Sequence, residues 1–238
     1  MIDIIGSIAL ASLYATVLGV LAGLAPVSRS IRLAVWSGAA LWGALIVAVA
    51  AFGWFGPGAT GPVPGVALAF AAAVGGGIAA WFLLPGFGEA LLSLPPAALV
   101  GLNAGRLLGA FFVLLYAAGR LPAPFAPAAG WGDVAVGALA VPLTALAAAG
   151  TLRAQWLRLW NALGALDLVV AVSLGVLSAP ATPFRVFTQE PGTAAMGMLP
   201  WIMIPTLLVP LYLLIHLTVA AKLRASPRAM PAVAAAGS

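Results

Sequence analysis

Residues 160–177 read WNALGALDLVVAVSLGVL. The stretch is apolar enough to cross a bilayer, for which a helix needs roughly 20 mostly apolar residues. Yet it carries Asp167 near its middle. An unpaired charge at that depth costs at least ~2.5–3.5 kcal/mol on insertion scales. The first property decides the fold. The second marks where to look for a site.

The rest of the chain shares the apolar character. Of 238 residues, 64% are hydrophobic and only 6% charged, and the mean hydropathy is +1.17. A soluble domain carries about 25% charged residues. A chain this poor in charge has no surface to show to water, so the lipid bilayer is the solvent that fits. Cysteine is absent, which excludes disulfides and thiolate metal sites. The single His216 cannot by itself build a His-rich metal site or a bis-histidine haem, so no metal site is expected. The first segment lacks a basic n-region, carries Asp3 and is longer than an h-region, so it reads as a membrane helix and not as a signal peptide.

Seven segments qualify as spans: 2–25, 33–55, 65–84, 96–119, 133–150, 159–178 and 198–221. Gly/Pro-rich punctuation separates several of them. The fifth is the shortest, and Pro142 is expected to kink it. Seven spans place Arg29, Arg32, Arg153, Arg158, Lys222, Arg224 and Arg228 on one side, against Arg120 and Arg185 on the other. By the positive-inside rule the richer side is cytoplasmic. The expected fold is therefore all-α: a polytopic bundle over residues 1–222, N-terminus out and C-terminus in. A short cytoplasmic tail, 223–238, follows, with the small, Pro-containing composition of a disordered segment. The net charge of +5 reads as a topology signal. No clustered basic face suggests nucleic acid.

Small residues recur at four-residue spacing, as Gly101, Gly105 and Gly109, and as Gly19 and Gly23. Such faces let helix backbones approach closely, here within one chain. Gly75, Gly76 and Gly77 are expected to mark a kink or a close crossing. The eight Trp residues fall mostly near span ends, as an interfacial belt would.

Arg106 and Asp167 lie at nearly equal depth in spans four and six. The least costly arrangement is an ion pair between them. Asn103 sits one turn from Arg106 on the same face, and His216 and Asn161 lie in the cytoplasmic halves of their spans. The expected binding cluster is thus Arg106, Asp167, Asn103, His216 and Asn161. It serves either as a satisfied network that fixes helix register or as a site for a substrate, proton or ligand.

Outside the bundle, LPAPFAPAAGWGD (121–133) reads as a stiff loop ending in Asp133, the expected N-cap of span five and a candidate partner for Arg120. The longer loop 178–200 holds Arg185 and Glu190, and reads as a headgroup-level connector or a lid. Pro200, Pro205 and Pro210 should bend or unwind the start of span seven.

Three stretches, NAGRLLGAFFVLLYAAGRLPAPFAPAAGWGD (103–133), WNALGALDL (160–168) and IPTLLVPLYLLIHL (204–217), resemble a family of uncharacterised bacterial multi-pass inner-membrane proteins. The resemblance covers spans four to seven. It implies residence in the bacterial inner membrane and draws attention to Arg106, Asp133, Trp160, Asn161, Asp167 and His216, and it brings no activity. The seven-span layout also resembles microbial rhodopsins, but the only lysine, Lys222, sits at a span end, so no retinal Schiff base is available.

No Walker loop, dinucleotide fingerprint, HExxH or GxSxG is present. Ser173 and Ser178 have no histidine base at their depth, so no catalytic residue is assigned and no cofactor is named. Three classes stay open. One is a carrier or channel for a small or amphiphilic solute. Another is a lipid- or ligand-binding protein or accessory subunit, in an oligomer or a membrane complex. The third is a lipid-modifying enzyme with Asp167 as general acid or base.

Overall fold

The structure, a computed structural model, describes residues 1–225; the expected tail from residue 226 on, Arg228 included, lies outside the described residues. Seven helices are long and apolar enough to cross a membrane: Ile2–Leu24, Arg29–Ala51, Gly65–Leu83, Pro96–Ala117, Phe125–Ala148, Ala154–Leu177 and Ile204–Ala225. We number them spans one to seven. A short helix, Phe87–Ser93, joins spans three and four, and a 3-10 turn, Ala194–Gly197, lies in the loop before span seven. No strand occurs among the described residues. An odd number of crossings puts the two ends on opposite faces, called here the N-side and the C-side. Span seven runs on through residues 223–225, which the sequence reading assigned to the tail.

Spans four and seven form the centre, with about half of each buried, whereas span two buries only Ile46 and span three only Gly65 and Ala69. Spans four, five and six pack in sequence order, span seven closes against span six, and span one crosses span four near its middle and span seven at its first residues, 204–208.

Span five departs most from expectation. It is among the longest, because it begins at Phe125 and not at Asp133. The stretch 125–133, expected as loop, is helix. Pro124 is its N-cap and Pro127 falls in its first turn. There the backbone N–H groups have no intrahelical acceptor, so a missing N–H costs nothing. Asp133 is therefore two turns inside the bilayer segment and caps nothing. Pro142 sits within a helix that continues through it.

Two spans carry irregular winding. Residues Asn103–Gly109 of span four form a 3-10 stretch, longer than such runs usually are. Ile204–Leu208 of span seven is a π-helical turn. The second was foreseen from its prolines. Pro210 has no N–H for the carbonyl of Thr206, and the indole Nε1 of Trp42 donates to that oxygen at 3.1 Å.

The Gly101/Gly105/Gly109 face packs inside the chain. A Cβ on Gly101 would touch Thr144, one on Gly105 would meet Leu13 and Tyr212, and one on Gly109 would meet Asp133. Opposite it, a Cβ on Gly137 would come 2.8 Å from the Leu107 nitrogen. Gly75, Gly76 and Gly77 behave otherwise: span three passes through them unbroken, and nothing lies within 4 Å of a Cβ there. They mark neither a kink nor a close crossing. The Trp belt is partial. Trp54, Trp131 and Trp156 are exposed as anchors would be, but Trp160 and Trp201 are buried.

Gly137→Ala should therefore separate spans four and five and destabilise the protein by about 1–3 kcal/mol, while Gly77→Ala should leave it unchanged. Thermal unfolding in detergent checks this. Equal behaviour of the two variants would mean that the contact at Gly137 is not close.

Candidate functional site

The polar cluster gathers on the irregular part of span four. The Arg106 side chain is 1% exposed. Its Nε donates to Asp133 Oδ1 of span five at 2.7 Å, and its second terminal nitrogen pairs with Asp167 Oδ2 of span six. The remaining terminal nitrogen reaches the Gly164 carbonyl at 3.0 Å and His216 Nε2 of span seven at 3.2 Å. The Tyr212 ring lies under the guanidinium, 5.9 Å from its carbon.

These contacts fix the imidazole. An arginine only donates, so His216 Nε2 must accept and Nδ1 must carry the proton. Nδ1 then donates to Asn161 Oδ1 at 2.9 Å, and Asn161 Nδ2 donates to the His216 carbonyl at 3.1 Å. The ring is therefore neutral, and a second proton on it would face the guanidinium. Trp160 stacks obliquely on the ring at 5.4 Å and donates through Nε1 to the Val136 carbonyl at 3.2 Å.

Glycines make the room. His216 fills the space that a Cβ on Gly164 would need, and the Asp167 carboxylate fills that above Gly132. Gly132, expected in a turn, is instead the floor under a charged group.

The charges do not balance. One guanidinium faces two carboxylates, so with both ionised the cluster carries one net negative charge. The carboxylates are also less enclosed than the arginine, at 15% and 16% side-chain exposure for Asp133 and Asp167. A cavity of about 30 Å³ reaches Arg106 and Asp133, lined also by Leu13, Gly105, Leu168 and Tyr212. That is room for a water molecule. Phe112, Ile204 and Val209 line both this cavity and an apolar vestibule of about 130 Å³ toward the N-side. The vestibule lies between the 55–64 loop, span six and the 193–197 segment.

Of the residues expected in the cluster, Arg106, Asp167, His216 and Asn161 are joined by hydrogen bonds. Asn103 is buried beside them but donates to Leu99 O of its own helix at 3.0 Å, and its Oδ1 has no partner. Among the loop candidates, Asp133 moves into the cluster. Arg120 does not pair with it: Arg120 donates to Asp3 at 2.8 Å, and Trp201 Nε1 donates to the same oxygen at 2.8 Å, which ties the N-terminus to the start of span seven. Arg185 and Glu190 pair with each other at 3.0 Å within their loop, apart from the cluster. Tyr212 was missed. Its position four residues before His216, on the same face, was the available signal.

The fold and the site define a polytopic helical membrane protein with an ionised cluster at its centre. A family model described as a domain of unknown function, DUF8737, matches residues 63–224, and the chain belongs to that family. The match takes in spans three to seven and every residue of the cluster. No curated protein and no solved structure matches.

Removing the guanidinium should cost far more than removing either carboxylate. Arg106→Gln leaves two carboxylates facing each other and should destabilise the protein by about 3–5 kcal/mol. Asp167→Asn or Asp133→Asn leaves the guanidinium one anionic partner and should cost less. Unfolding in mixed micelles measures the order. If Arg106→Gln costs no more than Asp167→Asn, the arginine is not what the cluster is built around.

Proposed function

We propose that the protein is a carrier for a small, largely apolar or amphiphilic solute, and that its Arg106–Asp133–Asp167–His216 cluster binds the charge that moves with it. One observation carries this reading: a buried guanidinium faced by two carboxylates, one more acid than its charge needs, stands beside an apolar vestibule with which its cavity shares three lining side chains. The missing charge can arrive as a proton or as the cationic end of the solute. A vestibule of that composition suits an apolar body.

Two features support passage and not only binding. Ile204 and Val209, two of the three shared lining residues, begin and follow the π-helical turn of span seven. Non-regular backbone at membrane depth is tolerated where it borders protein or a cavity, and there a change of winding disturbs the fewest ladder hydrogen bonds. The polar chain also continues toward the C-side, from the carboxylates through Arg106 to His216 and Asn161. Asn161 lies seven residues from the C-side start of span six, or roughly 10 Å of helix rise.

The proposal includes orientation and place. Arg29, Arg32, Arg153, Arg158, Lys222 and Arg224 lie on the C-side, whereas the N-side has Arg120 and Arg185, each paired with an acid. By the positive-inside rule the C-side faces the cytoplasm of a bacterium, across its inner membrane. A lipid-modifying enzyme is less well supported. Asp133 lies eight residues inside span five, roughly 12 Å of rise from its end and below the headgroups.

The natural absence of cysteine makes the test clean. Single substitutions Thr193→Cys in the vestibule and Leu168→Cys beside the inner cavity are exposed to a membrane-impermeant thiol reagent, applied to either face of proteoliposomes. Thr193→Cys should react from the N-side alone. Leu168→Cys should react slowly from both, and adding Asp167→Asn should change its rate. A Leu168→Cys that stays inert from both faces at every pH overturns the carrier reading and leaves the cluster as a register lock.

A further inference from the structure

Spans two and three make almost no contact with each other. Between them opens a lateral groove of about 930 Å³, floored by spans one and seven. It lies on the other side of span seven from the cluster and shares no lining residue with the vestibule. Its volume is at the upper end of ligand sites, roughly 300–1,000 Å³.

The groove asks for an apolar occupant. Its few polar side chains are already satisfied within the protein: the Tyr14 hydroxyl donates to Ala39 O at 2.9 Å, Trp42 donates to Thr206 O, and the Thr206 hydroxyl donates to Ile202 O. The walls are low, with Gly38 on span two and Gly76 and Gly77 on span three, where nothing lies within 4 Å of a Cβ. The unbroken glycine run that produced neither kink nor crossing thus has an effect: it deepens one wall of the slot.

The C-side end is different. There the groove adjoins a smaller cavity of about 80 Å³ that shares Leu18, Ile31, Val35 and Phe87 with it. Arg32 lines this cavity. One of its terminal nitrogens makes a long contact to Ala25 O at 3.4 Å, and its Nε is buried without a partner. A buried guanidinium N–H with no acceptor is costly. An acceptor oxygen entering along the groove would satisfy it.

We propose that the groove is a binding site for one phospholipid with an anionic headgroup, an acyl chain lying between spans two and three and the phosphate on Arg32. The occupant follows from two adjoining spaces: the groove, apolar and internally satisfied in the membrane interior, and the smaller cavity, cationic and unsatisfied at headgroup level. The basic side of a membrane protein is also the side on which basic pockets between helices meet anionic lipid. The site is separate from the carrier reading and stands whether or not that reading does.

Native mass spectrometry of the full chain tests it. The delipidated protein is titrated with phosphatidylglycerol and with phosphatidylcholine of identical chains. One phosphatidylglycerol should bind more tightly than phosphatidylcholine by about fivefold, the weight of one basic residue at an anionic surface. Arg32→Gln should erase that preference while chain binding persists, and Arg32→Lys should keep most of it. Gly77→Trp, which fills the slot where no atom stands, should remove both adducts without lowering the melting temperature. Equal binding of the two lipids by the native protein, or adducts untouched by Gly77→Trp, overturns the proposal. So does a second polypeptide, another copy of the chain included, that holds the groove closed against lipid.

Discussion

A guanidinium cannot shed its proton inside a protein. Once Arg106 is placed at the centre of the bundle, the helices around it must answer its charge. Span five does so with Asp133, span six with Asp167 and the Gly164 carbonyl, and span seven with His216 and the Tyr212 ring. One side chain thereby links spans four to seven. In lipid there is no hydrophobic drive between helices, because the tails are as apolar as leucine. A set of charge-assisted bonds with one geometry therefore specifies register in a way that the surrounding Leu, Val and Ala cannot.

That demand shapes the backbone around it. The arginine sits on a 3-10 stretch, the tyrosine and histidine follow a π-helical turn, and three glycines, Gly109, Gly132 and Gly164, give up side chains so that Asp133, Asp167 and His216 can fit. The remaining spans have no such requirement. Span three touches nothing with its three successive glycines, and span two buries only Ile46 fully. The molecule is a tight polar-centred bundle of four helices with span one across it, span three packed against span seven and span two against span one. The gap between spans two and three leaves the groove.

Much of this was legible in the residues. Span number follows from length and apolarity alone, as do spans one, three and four to within two residues, whereas span two lies four residues earlier than expected and span six begins five earlier; equal depth was enough to bring Arg106 and Asp167 together. Asp133 was not legible, for a specific reason. Three prolines and two glycines in 121–132 carry the local signature of a turn, and in water they would make one. At a helix start in a membrane the prolines fall where no N–H is needed, and the glycines fall where a neighbouring helix comes close. Composition could not distinguish a loop from a helix that begins with loop residues. The 3-10 winding of span four left no sequence mark beyond its glycines. The ends of span seven were displaced by several residues, because the residues before the π-turn, PWIM, are as apolar as a span but lie at its mouth.

The second carboxylate bears most directly on what the cluster is for. A device whose only task is to hold four helices in register needs one negative charge for its one positive charge, and a neutral acceptor such as Asn161 can complete the rest. Asp133 alone, or Asp167 alone, would meet that need. With both ionised, two carboxylates on one guanidinium leave a negative charge in a medium where uncompensated charge costs several kcal/mol. That charge is more exposed than the arginine it surrounds, and it stands beside a cavity with room for water. Structure alone gives no reason for such an excess at such a place. A site that takes up and releases one positive charge as its surroundings change does.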